Sequence, residues 1–296
     1  MIEVKNLGFA YKNAKKVAVS DLPPGVTEAF AIKRAVDDVS FDIAKGEIFG
    51  FLGPSGAGKT TTVSILIGLL KNYAGSVHVM GKDLSEIDNN YFENIGVSFE
   101  LPSHYLRLTA KENLDFFSSL YKEKKVKPHE ALEMVGLAAD ADKKVSDYSK
   151  GMKMRLNFAR TLLHDPELFF FDEPTIGLDP INARRIKDII LQKKNEGKTI
   201  FLTTHNMNVA DELCDRIGLI HDGNLKVVDT PHDLKLQYGK RRVQVETKAE
   251  TKEFDLDGLG SNADFLKIIK ADIQTIHSLE PTLEEVFIKV TGRGLL

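Results

Sequence analysis

The sequence predicts an α/β protein: a core sheet with helical crossovers, followed by a small C-terminal α/β domain. Three observations carry that prediction. Strand-like and helix-like runs alternate through the first half, as they do where helices cross between strands. Leu168, Phe169, Phe170 and Phe171 form a wholly apolar run, the mark of a strand buried on both faces. From about residue 232 the composition changes, with Lys240, Arg241 and Arg242 opening an alternating strand. The expected division is one domain over 1–231 and an accessory domain over 232–296.

Taken in order, Val36–Ile43 alternates apolar and polar residues and reads as a half-buried strand. Lys45-Gly46-Glu47 turns it into the apolar run Ile48–Leu52, and a glycine-rich segment then opens a helical pattern over Lys59–Leu70. Val77–Met80 reads as a short strand. Between Leu101 and Leu163 the pattern is mostly helical, with Thr109 and Glu112 forming a capping box for a helix through Tyr121. Asp179-Pro180 supplies N-cap and first-turn chemistry for another helix. Thr199–Thr204 and Ile217–Ile220 are strands, and Asp222-Gly223-Asn224 turns a hairpin into Leu225–Val228. Residues 12–34, with Lys15-Lys16 and the turn Leu22-Pro23-Pro24-Gly25, read as an inserted loop whose lysines form a solvated face. The chain closes on Leu283, Val286, Phe287 and Val290 at helical spacing, a stripe expected to pack inside the C-terminal domain.

Composition narrows the function classes. The 296 residues carry 40 Lys plus Arg against 43 Asp plus Glu, a net charge of −3, which does not suit a surface built broadly for nucleic acid or anionic lipid. A single cysteine, Cys214, rules out an internal disulfide and a cysteine-rich zinc site, and fits a reducing compartment. The longest apolar runs fall far short of the ~20 residues that cross a bilayer. The first twelve residues lack an apolar core of signal-peptide length. The expectation is a chain that neither spans a membrane nor is exported.

Chemistry concentrates at Gly53-Pro54-Ser55-Gly56-Ala57-Gly58-Lys59-Thr60, which fits G-x-x-x-x-G-K-[ST] between an expected strand and an expected helix. Glycines let backbone N–H groups curl into an anion nest at a helix N-terminus, so these residues with Thr61 are the candidate phosphate cradle. Lys59 supplies a point charge for the β- and γ-phosphates, and the Thr60 hydroxyl suits Mg²⁺. The buried run ending at Phe171 delivers Asp172 to a strand end, where it can serve the same metal. Glu173 is then placed to polarise an attacking water. An acid pair in this position has a second reading, as a cap for the following helix.

From Ser149-Lys150-Gly151-Met152 to Arg155-Leu156 the sequence resembles the signature of the ATP-binding-cassette (ABC) family. Further landmarks fall in order: Thr175-Ile176-Gly177-Leu178-Asp179 after Glu173, and Thr203-Thr204-His205 ending a later strand. The resemblance covers roughly residues 1–230. It implies the P-loop NTPase ABC ATPase fold: a RecA-like core sheet, an N-terminal antiparallel β subdomain and a helical subdomain at about 101–165. The C-terminal stretch Glu280–Phe287 resembles the tail of ATPases that drive drug, lipid or polysaccharide exporters.

The resemblance implies ATP and Mg²⁺ as cofactors and a composite site between two head-to-tail cassettes, a homodimer being favoured. Ser149 and the Gly151 N–H would reach the γ-phosphate from the opposite subunit, Asp179 would sit at the seam, and His205 would hold the attack geometry. Tyr11 matches the aromatic that stacks on adenine, although Phe9 and Tyr11 alternate as strand residues and one of them can simply pack. Without the family, His205 reads as an ordinary surface or core histidine, distinguished only by its place after a strand. Glu100 stands where the family usually has a glutamine that touches the metal. Lys150 and Met152 replace a glycine and a glutamine of the signature. The implied function is an ATPase that powers export through a separate integral-membrane permease, at the cytoplasmic face of the membrane and with no direct nucleic-acid contact. The alternatives are a cassette acting on nucleic acid or the ribosome, and a weakly hydrolysing regulatory cassette. A GTPase would need an Asn-Lys-x-Asp motif, which the sequence lacks.

Overall fold

In a computed structural model, residues 1–12 and 34–292 are described. The inserted loop expected over 12–34 therefore lies outside the described residues, except for Lys12 and Arg34. Strand β1 (Ile2–Phe9) pairs antiparallel with β2 (Val36–Ile43), whose alternation buries Val36, Val39, Phe41 and Ile43. Strand β3 (Ile48–Leu52) is buried along its whole length and leads through the glycine-rich segment into helix α1 (Lys59–Leu66). The expected continuation of this helix to Leu70 does not form. Gly68 takes φ +76°, its N–H bonds Ile65 O, and the Leu69 N–H reaches back to Ser64 O, a glycine-terminated end that closes the helix.

Strands β4 (Ala74–Val79) and β5 (Lys82–Asp83) complete a four-stranded sheet in the order β2-β1-β4-β5. Met80, expected in the strand, adopts φ 52° in the turn that follows. Helix α2 (Asn89–Glu93) precedes β6 (Ile95–Ser98). The helical region contains α3 (Ala110–Ser119), α4 (Pro128–Met134) and α5 (Lys150–Leu162). Thr109 and Glu112 form the expected capping box, although α3 ends before Tyr121. After α5 come β7 (Leu168–Asp172), α6 (Pro180–Asn195), β8 (Thr199–Thr204), α7 (Met207–Leu213), β9 (Arg216–His221) and β10 (Asn224–Asp229).

The second sheet runs β10-β9-β3-β8-β7-β6, with β9, β3, β8, β7 and β6 parallel. Asp222 (φ 48°) and Gly223 (φ 79°) turn β9 into β10, the positive-φ pair that a tight hairpin requires. Between the two sheets, Phe41 stacks on Phe49 with centroids 5.3 Å apart, and Phe51, Phe170 and Phe201 pack around them. The mixed α/β architecture is thus the one expected from the sequence, a parallel core with an antiparallel sheet against it and a helical region inserted before β7.

The described residues fall into two compact units, Met1–Val228 and a second from Asp229 onward. The second holds α8 (Pro231–Tyr238), β11 (Arg242–Thr247), β12 (Thr251–Asp255), α9 (Ala263–Ile268), β13 (Ile273–Leu279) and α10 (Leu283–Thr291). Its sheet, ordered β12-β11-β13, buries Val243, Val245 and Phe254 with Ile268 of α9. Helix α10 buries Leu283, Val286 and Phe287. Among the described residues no helix is long and apolar enough to cross a membrane.

Candidate active site

The end of β3 brings the chain so close to β9 that a Cβ at Gly53 would stand 2.2 Å from the Ile220 carbonyl oxygen. Gly58, the N-cap of α1, adopts φ 111°, and a Cβ there would lie 2.5 Å from the Ala35 oxygen. Only glycine meets both demands, so the loop passes under the β9 end and opens α1 with its N–H groups unobstructed. Lys59 is buried, and its Nζ donates to the carbonyls of Gly53 (2.6 Å) and Pro54 (3.1 Å). Burial draws the Lys59 pKa below the usual lysine value, opposed by the carboxylates of Glu173, Asp172 and Glu100. The Thr60 hydroxyl donates to Asp172 Oδ2 at 3.0 Å.

The parallel register of β7 and β8 sets Asp172 opposite Thr203, whose hydroxyl donates to Asp172 Oδ1. Glu173 follows at φ +51°, a conformation that non-glycine residues adopt rarely. Its N–H bonds Thr203 O at 3.0 Å, and its buried carboxylate is gripped from both sides. Oε1 accepts from the His205 N–H at 2.8 Å and lies 2.7 Å from His205 Nδ1. Oε2 accepts from the Thr204 hydroxyl at 3.0 Å. Lys59 Nζ stands 4.0 Å from Oε1. Neither acid caps the next helix, a role that Asp179 takes for α6 by accepting the Asn182 N–H.

Ser55, Gly56, Gly58, Lys59, Thr60 and Thr61 line one cavity of about 390 Å³. Tyr11, Glu100, Asp172, Glu173 and His205 line the same cavity. Phe9 packs against the core, whereas Tyr11 is half exposed at the cavity and its hydroxyl lies 3.1 Å from Thr61 Oγ1. Phe9 is thus the packing aromatic, and Tyr11, set edge-on to the Phe9 ring with centroids 5.0 Å apart, is the one at the cavity. Ala57 is buried behind the loop, and Gly53 and Pro54 contribute carbonyls to Lys59.

Beyond Gly53, Pro54 and Ala57, the expected residues Ser149, Gly151 and Asp179 do not line this cavity either. Ser149 N-caps α5 through the Met152 N–H, and Asp179 N-caps α6. Gly151 faces the turn at Gly177, where a Cβ on Gly151 would come within 3.4 Å of the Gly177 oxygen. The Lys150 side chain runs along the same turn, with Cε 3.5 Å from where a Cβ of Gly177 would stand. The N-terminal end of α5 is therefore set against the turn that follows Glu173.

The donor set also tests the expected metal. Among the described residues no group of three or more His, Cys, Asp and Glu is arranged to hold a metal ion. Thr60, Asp172 and Glu100 instead offer hard oxygens in one cavity, too few for a closed protein cage. That suits Mg²⁺, which keeps waters and shares its shell with phosphate oxygens. Thr203 and Thr204 hold the two acids but were not among the expected site residues. The paired hydroxyls at the end of β8, next to the strand that carries the acids, were the signal available for them.

Residues 36–176 match the family described as ABC transporter, and residues 237–280 match a family described as the fluoroquinolone efflux ABC transporter C-terminal domain. The chain is 52% identical over 271 residues to a fluoroquinolones export ATP-binding protein of Mycobacterium tuberculosis, covering 90% of each chain. It is 33% identical to a bacitracin transport ATP-binding protein of Bacillus licheniformis, over 92% of this chain and 97% of that one. Among solved structures, an ATP-binding subunit of an ABC transporter aligns with TM-score 0.68 at 26% identity, over 81% of this chain and 93% of that one. A dimeric ATP-binding cassette in a post-hydrolysis state with ADP and Pi aligns with TM-score 0.66 at 26% identity, over 78% of this chain and 98% of that one.

Proposed function

From the premise that the chain belongs to the ABC transporter ATP-binding family, we propose that it binds and hydrolyses ATP to drive a drug exporter whose cargo includes fluoroquinolones. The hydrolytic reading rests on one observation: a buried lysine, a hydroxyl–carboxylate pair and an oriented glutamate converge on a single cavity. Lys59 attracts the β- and γ-phosphates, and the loop N–H groups cradle them. Thr60, Asp172 and Glu100 would hold Mg²⁺, which supplies neutralisation of phosphate charge when bound. Glu173 accepts the proton of the attacking water, with its carboxylate fixed by Thr204 and by His205.

The position of Ser149, Gly151 and Asp179 outside the cavity supports their service to a second cassette. The N-terminus of α5 carries the positive end of a helix dipole suited to a partner's nucleotide. The permease, on another polypeptide, is placed by this reading against the helical region, where Leu101, Tyr105, Leu106, Phe116 and Leu120 are exposed. That places the chain at the cytoplasmic face of a membrane. The C-terminal match and the 52% identical relative support this choice of cargo. The named relatives give no support to a nucleic-acid or ribosome role.

The test is native purification from membranes, followed by co-expression of the recovered polytopic protein with this chain. The pair should lower fluoroquinolone accumulation in intact cells, and Glu173→Gln should abolish that effect. Recovery only with ribosomes or DNA overturns the reading, and unchanged accumulation of fluoroquinolones overturns the cargo.

A further inference from the structure

Helix α5 does more than present Ser149 and Gly151 at its start. Three of its residues bond to the segment 98–104, which contains Glu100. Asn157, 1% exposed, donates through Nδ2 to Ser98 Oγ at 3.0 Å and to the Phe99 carbonyl at 2.9 Å. His104 donates through Nε2 to the Lys153 carbonyl at 3.0 Å, and Arg160 donates to the Ser103 carbonyl at 3.3 Å. The segment is thus fastened to one helix on both sides of Glu100, and the residue before Glu100 is fixed by its own carbonyl.

We propose that Asn157 is a positioning residue for the nucleotide site, acting through the Phe99 carbonyl to set where the Glu100 carboxylate reaches into the cavity. Asn157 does not line the cavity itself, and its Oδ1 has no hydrogen-bond partner although it is buried. Its two donor bonds are therefore what the buried amide contributes. Glu100 follows Phe99 directly, so a shift of the Phe99 peptide displaces Glu100 relative to Asp172 and Thr60, which are anchored on β7 and α1. Because α5 begins at Ser149, the same helix ties the placement of Glu100 to the end that serves the partner cassette. This inference rests on the reading of Glu100 as an oxygen donor to Mg²⁺.

The experiment measures binding of a fluorescent ATP analogue to the full-length chain as Mg²⁺ is titrated, with thermal melting recorded in parallel. Asn157→Ser, too short to reach both acceptors, should raise the half-saturating Mg²⁺ concentration about fivefold, the scale of one buried hydrogen bond. Ser98→Ala, which removes one acceptor and leaves the Phe99 bond, should change it by less than about twofold. Glu100→Ala should raise it as well, and adding Asn157→Ser to Glu100→Ala should have no further effect on the Mg²⁺ dependence. Asn157→Ser that lowers the melting temperature with unchanged Mg²⁺ dependence, or that acts additively with Glu100→Ala, overturns the role of Asn157 and leaves Glu100 as a donor. No response to Glu100→Ala overturns the reading of Glu100, and the role of Asn157 falls with it.

Discussion

At the scale of single residues, the acids after β7 show how much of a site is spacing and how much is register. Spacing after Phe171 is enough to place Asp172 and Glu173 at a strand end. What holds them is the pairing of Asp172 with Thr203 across two parallel strands, which cannot be read from one strand alone. Glu173→Gln should keep ATP binding within about threefold, lower turnover by about 10²-fold or more, and accumulate closed dimer on size exclusion. His104 and His164 add a pH dependence. Burial is the main cause that lowers both pKa values, so the unfolded chain takes up protons that the folded chain resists. Their neutral forms favour folding above the ordinary histidine value of about 6.5, and stability falls as pH drops below it. Melting temperature followed from pH 8 to pH 5 should fall less steeply in the His104→Gln, His164→Gln double variant.

At the scale of elements, alternation and turn chemistry carried most of the first unit. Val36–Ile43, Ile48–Leu52 and Thr199–Thr204 form over the residues that their patterns mark. The run Ile65–Leu70 misled because continuous apolarity has no period, so only Gly68 marks the end of α1. In the second unit β12 exposes four of its five residues and β13 buries none fully, which leaves little alternation to read. The polar, partly paired ends of segment 98–104 were likewise silent, since their partners lie 49 to 59 positions along the chain. The capping box at α3 was legible because both partners lie within one turn. Thr109→Ala should cost about 1 kcal/mol in urea-induced unfolding, with the Mg²⁺ dependence of nucleotide binding unchanged.

At the scale of the whole molecule, the nucleotide cavity belongs to the Met1–Val228 unit, which has its own apolar core. ATP at 100 times its Kd should therefore stabilise that unit by about 2.7 kcal/mol through mass action. The chain has no tryptophan, so calorimetry is the suitable measurement, and Lys59→Ala should remove the shift. The helical region between β6 and β7 contains both helix α5, capped by Ser149, and the exposed apolar residues that the proposed function sets against a permease. On that reading a single inserted segment connects the partner cassette and the permease. The long helical stretch ahead of Leu168 was visible in the sequence, whereas β6 on its other side, paired parallel with β7, was not marked there. Which residues of the stretch face outward became clear only from packing.

The left-handed backbone at Glu173 has a consequence for how variants of this protein would drift. Glycine and asparagine are the residues most at ease at φ +51°. A selection for heat resistance alone, blind to turnover, should therefore enrich both at position 173. Sequencing the survivors of such a selection would show whether relief of the backbone at position 173 outweighs the bonds its carboxylate makes to Thr204 and His205, and each such survivor would have given up the proposed base.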